Sequence, residues 1–419
     1  MASTSWYFLD FASLRRHGQE VDWLLFLLPL VLMVVGGVAI YSIGYARAQP
    51  HWWQHWVTGC IGIGLMLVLS RLRYELLAHF HWLTYGLMLA SLVAVMFFGV
   101  TELGAERWIP ILGFHVQPSE FAKVGVIISL AALLSRHDIE TPLDALRAVW
   151  ILLPPWVLIF LQPNLGTSLV LVAIALGMLY WAGASGGWIL LALSPVVAAV
   201  LFHFVPLAWL IWSGLMGTVA WCSLAPWRAG SAIAAVVVNL LSGQLGTWLW
   251  NILHDYQKRR LLLFLDPSQD PTGGGYHLIQ SQIAIGAGTL WGKGFLKGTQ
   301  TQLNFIPEQH TDFVFSAIGE EFGFVGCLFV LLVFVGICGR LLLIAHTAKD
   351  NFGSLLAIGV FSFILFQTFV NIGMNIGVAP VTGIPLPWLS YGRSALLANF
   401  TAIGLVESVA VLRHRRQYY

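Results

Sequence analysis

Asp312 stands in the stretch IPEQHTDFVFSAIGEEFG, residues 306–323, where the polar end of a loop gives way to an apolar run. Glu308, His310 and Thr311 surround it, and Glu320 and Glu321 follow two to three helical turns later. A carboxylate at such a junction can take a proton as a general base. Lys258, Arg259, Arg260, Lys293 and Lys297 precede it, interleaved with glycines. Cations and glycines beside a membrane-facing carboxylate suit a diphosphate whose tail lies in the bilayer. The same basic loop could equally be a solvated surface. Glu320 and Glu321 point to different helix faces and read as pairing residues inside a bundle.

Two further polar constellations stand out. In ERWIPILGFHVQPSEFAK, Arg107 and Gln117 precede Glu120 and Lys123, which are three residues apart and share a face if helical. The pair either neutralises itself and anchors a helix end or contacts substrate directly, and the residues leave both readings open. In QPNLGTS, residues 162–168, Pro163 breaks one helix and the following Thr and Ser suit the start of the next, a structural role.

The elements that carry these residues are membrane spans. The 419 residues are 58% hydrophobic and only 10% charged, with a mean hydropathy of +0.80, outside the range of soluble domains. Residues 148–227 contain no Asp, Glu, Lys or Arg, a run that can cross the bilayer several times at about 20 residues per helix. Apolar runs predict twelve spans, over 23–46, 54–70, 77–100, 116–135, 148–161, 165–182, 188–205, 207–225, 230–252, 313–339, 353–377 and 394–412. With the amino terminus inside, twelve Lys and Arg residues of short segments face the cytoplasm, and only Arg47, Arg107 and Arg393 face out. That bias predicts cytoplasmic termini for the segments 1–20 and 413–419. It also places the long loop 254–311 outside, with a re-entrant or interfacial helix over 276–288. A net charge of +2 in dispersed clusters argues against a nucleic-acid partner. Cys60, Cys222, Cys327 and Cys338 lie in apolar segments without metal-ligand spacing and read as packing residues. The first apolar run is too long for a cleaved signal. No internal repeat marks a secondary transporter.

The motifs QPSEFAK, PNLGTS, HDYQKRR, FLDP, GGGYHLIQSQIAIGAGTLWGKGFLKGTQTQLNFIPEQHTDFVFSAIGEE and GIPLPWLSYG occur in one order over nearly the whole chain. They resemble the shape, elongation, division and sporulation (SEDS) family, its rod-shape branch rather than its division branch. The resemblance implies an all-α polytopic integral membrane protein with a core of ten transmembrane helices. The span count here then implies two added helices near 207–252, about twelve in all, with one long extracytoplasmic loop. It implies a bacterial inner-membrane peptidoglycan glycosyltransferase that polymerises lipid II during cell elongation. Its partners would be a class B penicillin-binding protein and other elongation-complex proteins. By the same resemblance the family's essential aspartate falls on Asp312, its glutamate and lysine on Glu120 and Lys123, and its loop arginine on Arg260. The chain departs from the pattern at Asn164, where family members carry Asp, and at Arg393, where they carry Gly.

On that reading Asp312 deprotonates the acceptor 4-hydroxyl of lipid II, which attacks the anomeric carbon of the lipid-linked strand in one inverting displacement. Undecaprenyl diphosphate leaves as a stable anion, so no second carboxylic acid is needed, unlike in glycoside hydrolysis. Positive charge is needed instead. Arg107, Arg260, Lys293 and Lys297 are the candidates to supply it, with Gln117, Glu120, Lys123, His310 and Thr311 as further substrate-binding candidates. A divalent cation, Mg2+ or Mn2+, is a candidate cofactor, with Asp312 as a ligand in competition with its role as base. The rival readings are a lipid II flippase and an inactive scaffold.

Overall fold

The computed structural model describes residues 21–45, 51–102, 105–111, 114–136, 139–224, 228–252, 258, 262–264, 274–303, 305–306 and 309–414. The helices are α1 Trp23–Tyr45, α2 His51–Leu69, α3 Glu75–His79, α4 His81–Phe98, α5 Pro118–Leu134, α6 Pro142–Leu161, α7 Leu165–Trp181, α8 Gly186–Phe204, α9 Pro206–Ser223, α10 Arg228–Ile252, α11 Gly274–Ala287, α12 Thr299–Gln302, α13 Val314–Thr347, α14 Asn351–Ile376 and α15 Arg393–His414. Twelve of them have 17 or more residues and coincide with the twelve expected spans. Nine of these are long and apolar enough to cross a membrane, and α7 is apolar but a residue shorter. The chain is a polytopic helical membrane protein.

Local chemistry explains where the helices start late or run long. α6 begins at Pro142, six residues before its apolar stretch, because Thr141 and Asp144 form a capping box around a first-turn proline. α13 continues eight residues beyond the expected end. Its Arg340 reaches Asp22 at the start of α1, with Nε 3.1 Å from Oδ1 and a second, shorter contact to Oδ2. Arg413 of α15 joins the same carboxylate at 3.4 Å. One buried aspartate therefore ties the ends of three helices together. At the same end, burial alone would raise the pKa of Glu75, but Lys349 and Arg73 hold it below the usual carboxylate range.

The centre of the bundle is α14, which packs against α5, α7, α13 and α15, with α15 lying on α2. Helix α11, inside the long loop, is seated against α13 and α14, with Leu278, Ser281 and Ala284 buried. By contrast, α8, α9 and α10 pack almost wholly on one another and meet the rest through the α7–α8 junction. The stretch expected to hold added helices thus lies in a three-helix lobe.

Two local features add to this all-α architecture. Residues 100–116 form a small antiparallel sheet, β1 Val100–Glu102, β2 Ala105–Ile111 and β3 Phe114–Val116, in the order β1-β2-β3. Strands this short carry almost no periodicity, so the segment reads as a plain loop. The second feature lies within α13, which is broken at Gly323 (φ 68°, ψ −163°), a conformation open essentially to glycine alone. Residues 288–294 fill the break. Lys293 N and Gly294 N donate to the carbonyls of Glu320 and Glu321 at 2.9 and 3.0 Å. Phe324 N and Val325 N donate to the carbonyls of Thr289 and Leu290 at 2.9 and 3.2 Å. The loop backbone thus satisfies the groups that the broken helix leaves open, which is the condition for irregular backbone at membrane depth. A Cβ on Gly323 would come within 2.3 Å of Gly292 N, and one on Gly292 within 2.1 Å of Glu321 O.

Candidate active site

Asp312 lies two residues before α13, at the end of the shorter part that precedes Gly323, and is half-buried. Its position is fixed through its backbone. The carbonyl of Asp312 accepts from Nδ2 of Asn371 and Nδ2 of Asn375, both at 3.1 Å. Just upstream, the carbonyl of His310 accepts from Tyr391 N at 2.8 Å. The His310 ring stacks on His51, with centroids 4.6 Å apart and planes 3° from parallel. Tyr391 flanks both rings and its hydroxyl bonds Gln54. Thr311 is also half-buried. Glu308 and Arg260 lie outside the described residues.

Glu120 and Lys123 occupy the first turns of α5 and are almost fully buried, 3% and 0% exposed. Their ion pair measures 2.6 Å. Lys123 also approaches Gln367 Oε1 at 3.5 Å and lies over the Phe363 ring. A pair at this depth survives only because each charge has the other. Gln367, Asn371 and Asn375 recur every fourth residue of α14 and so form one polar stripe down a buried helix. That stripe connects the Glu120–Lys123 pair, through Gln367, with Asp312, through Asn371 and Asn375, its members rising about 6 Å for every four residues. Sequence reasoning overlooked it, since the three side chains are uncharged. The available signal was a polar residue at i, i+4 and i+8 of an apolar span.

The two adjacent glutamates have different surroundings, on different faces of α13. Glu320 accepts five hydrogen bonds, from Lys293 Nζ (2.9 Å), Thr299 Oγ1 (3.2 Å), Gln300 N (2.9 Å), Thr301 N (2.8 Å) and Thr301 Oγ1 (2.8 Å). It thereby caps the short α12 and anchors the loop. Glu321 faces α1, where Ser42 donates to it and Gln302 approaches at 3.4 Å. Lys293 is thus engaged with Glu320, whereas Lys297 is exposed.

Arg107 sits on β2 and donates through Nε to Gln162 O at 3.2 Å and through Nη2 to Pro163 O. A cation there complements the carbonyl end of α6. Asn164 caps α7, accepting from Thr167 N at 3.3 Å and donating to Ser119 Oγ at 3.2 Å. Gln117 precedes α5, its backbone N–H donating to Ser394 at 2.9 Å. Arg393 lies over the Phe114 ring, 5.0 Å from its centroid. The described site residues therefore fall into three groups. Asp312, with the adjoining His310 and Thr311, and the Glu120–Lys123 pair meet at α14. Arg107 and Gln117 lie around the β-sheet, and Lys293 and Lys297 lie in the loop at the break of α13.

Known proteins resemble the chain over nearly its whole length. The chain is 34% identical over 393 residues to the peptidoglycan glycosyltransferase MrdB of Escherichia coli (strain K12), covering 93% of both chains. It is 35% identical over 427 residues to the peptidoglycan glycosyltransferase RodA of Treponema pallidum (strain Nichols), covering 94% of this chain and 98% of that one. Among solved structures, a chain of a peptidoglycan synthase complex superposes with a TM-score of 0.71 at 28% identity, covering 94% of this chain and 99% of the other. The rod shape determining protein RodA of Thermus thermophilus shares the fold at a TM-score of 0.61 and 24% identity. The family of FtsW, RodA and SpoVE, described as cell cycle proteins, matches residues 21–213 and 208–416, and the chain belongs to that family.

Proposed function

We propose that this protein is a peptidoglycan glycosyltransferase that polymerises lipid II into β-1,4-linked glycan strands during cell elongation and releases undecaprenyl diphosphate. The observation that carries the reading is Asp312, a carboxylate held at the mouth of a membrane helix by backbone contacts to the central α14, in a chain whose relatives are named peptidoglycan glycosyltransferases over nearly their full length. Asp312 takes the proton of the acceptor 4-hydroxyl as it attacks the anomeric carbon, and the diphosphate departs with the electron pair of the broken bond. Lys297, exposed beside the loop, and Arg260 supply cations to the diphosphate. Lys293 contributes less, because Glu320 already neutralises it.

Among the described residues no three His, Cys, Asp or Glu side chains gather as metal ligands. A Mg2+ or Mn2+ ion shared with the substrate takes one or two carboxylates and completes its shell with phosphate oxygens. Asp312 would be the protein ligand, a role that competes with its action as base, and the ion would supply charge for the leaving diphosphate. The partner is a class B penicillin-binding protein within a synthase complex. The protein is a multi-pass protein of the bacterial inner membrane, with both termini in the cytoplasm and the site on the extracytoplasmic side.

The test uses purified protein with that partner and labelled lipid II in detergent, where flipping across a bilayer has no meaning. Glycan ladders on a gel that vanish in Asp312→Ala support the polymerase. Undiminished ladders in that variant sink the assignment of the base, and no ladders from the wild type would favour the lipid II flippase.

A further inference from the structure

Phe313, at φ −115° and ψ 27°, is the residue at which α13 begins, and its carbonyl accepts from Ser316 N at 3.1 Å and from Ser316 Oγ at 2.6 Å. Asp312 stands one residue earlier, outside the helix. Asn375 of α14 spans this junction: it donates through Nδ2 to Asp312 O at 3.1 Å, and its Oδ1 accepts from Ser316 N at 3.2 Å. One carboxamide therefore ties Asp312 to the first turn of α13.

Asn371 completes the clamp. Its Nδ2 reaches Asp312 O at 3.1 Å and also Ile384 O at 2.8 Å, so it ties the Asp312 junction to the segment that leads into Tyr391. Its own carbonyl groups in turn hold Asn375, through Nδ2 to the backbone O at 2.9 Å and to Oδ1 at 3.3 Å. Both asparagines are 0% exposed. At such depth each amide oriented the wrong way would leave a polar group unpaired, so the orientation is fixed by the network itself.

We infer that Asn371 and Asn375 are positioning residues for glycosyl transfer, setting where the carboxylate of Asp312 stands relative to the acceptor hydroxyl. This inference rests on the reading of Asp312 as the base. Both asparagines bond the carbonyl of Asp312 and are fully buried, so their effect on the reaction runs through the backbone that carries the carboxylate. Displacing a catalytic group by about 1 Å costs on the order of a hundredfold in rate, because the reacting atoms must meet within a narrow geometry. A group that acts only in this way lowers kcat and leaves substrate binding alone.

The experiment measures kcat and KM for labelled lipid II with the full chain and its partner in detergent, for Asn375→Asp, Asn371→Asp, Asn375→Gln and Asp312→Ala. Asn→Asp keeps the size and one acceptor while losing the donor that grips Asp312. The expected result is a fall in kcat of about 10- to 100-fold with KM within about twofold. Asn375→Gln, which keeps the amide, should recover part of that loss and remain folded if the Asp variants do not. Thermal unfolding of each variant shows whether activity merely follows the folded fraction. Wild-type kcat in Asn371→Asp and Asn375→Asp beside an inactive Asp312→Ala would overturn the inference and leave the base in place. So would a loss matched by KM or by the folded fraction. An active Asp312→Ala would remove the base and the inference together.

Discussion

The three-helix lobe α8–α10 and the core around α14 associate in the same hydrophobic medium by different chemistry. In the lobe the helices touch through small residues: a Cβ on Gly217 would meet Val236 at 2.6 Å, one on Gly243 would meet Phe202 at 2.5 Å, and one on Gly246 would meet Ala199 at 2.7 Å. Its buried polar link is modest, with Asn239 donating to Ser194 Oγ at 3.0 Å. The core instead buries an ion pair, a five-bonded glutamate and a stripe of amides. Close packing is enough to hold helices together in lipid. The polar groups of the core are more than association needs, and their cost marks the place where function lies.

The sharpest test of that contrast is catalytic. Asp312→Ala should abolish glycan synthesis, while a lobe change such as Trp209→Phe, which loses one hydrogen bond to Asn239 O, should leave the rate within about twofold. A lobe substitution that abolished synthesis in a folded protein would erase the distinction.

The next largest effect concerns the broken helix. Gly323→Ala places a side chain in a glycine-only conformation, costing about 1–3 kcal/mol before the backbone clash with the inserted loop is counted. That clash cannot relax by turning a side chain, because the nearest atom is Gly292 N. The variant should be poorly folded, seen as lost yield of monodisperse protein. Gly214→Ala in the lobe, where nothing lies within 4 Å of the added Cβ, should be recovered at wild-type yield.

The Glu120–Lys123 pair allows its two readings to be separated. Lys123→Met leaves Glu120 buried without its cation and should lower stability by about 3–5 kcal/mol. Replacing both, Glu120→Leu with Lys123→Met, should restore most of that, since well-packed apolar residues replace a buried pair at little cost. Thermal unfolding measures the stability, and lipid II polymerisation decides the role. A stable, active double variant makes the pair structural. A stable, inactive one gives it a part in the reaction.

Much of this organisation was legible from residue types. Apolar runs located all twelve long helices, because burying a span without charges leaves a strong signal over about 20 residues. Asp312 could be singled out because a carboxylate at a membrane edge is rare. What escaped was carried by weaker signals. The interruption of α13 depends on Gly323, yet glycine is common in membrane helices, so EEFGF looks continuous. The sheet at 100–116 has too few residues to show alternation. Arg107 could be singled out as a candidate cation for the diphosphate, but not its bonds to the carbonyls that end α6, 55 and 56 positions away in sequence. Asn371 and Asn375 were passed over for a physical reason as well. Amides carry no charge to attract notice, and their importance lies in which backbone they hold.

The smallest expected effect asks whether polar contacts matter in the lobe at all. Asn239 is 1% exposed and donates to Ser194 and to its own helix at Ala235 O, 2.8 Å. Because the second bond is local, separated helices can keep it, and of the two side-chain bonds only the link to Ser194 is lost on dissociation. Interhelical hydrogen bonds in membranes average about 0.6 kcal/mol for that reason. Asn239→Leu should therefore shift stability by no more than about 1 kcal/mol, with polymerisation unchanged. A loss as large as that of Lys123→Met would mean that Asn239 orients the lobe as Asn375 orients Asp312, and the two regions would then differ in degree rather than in kind.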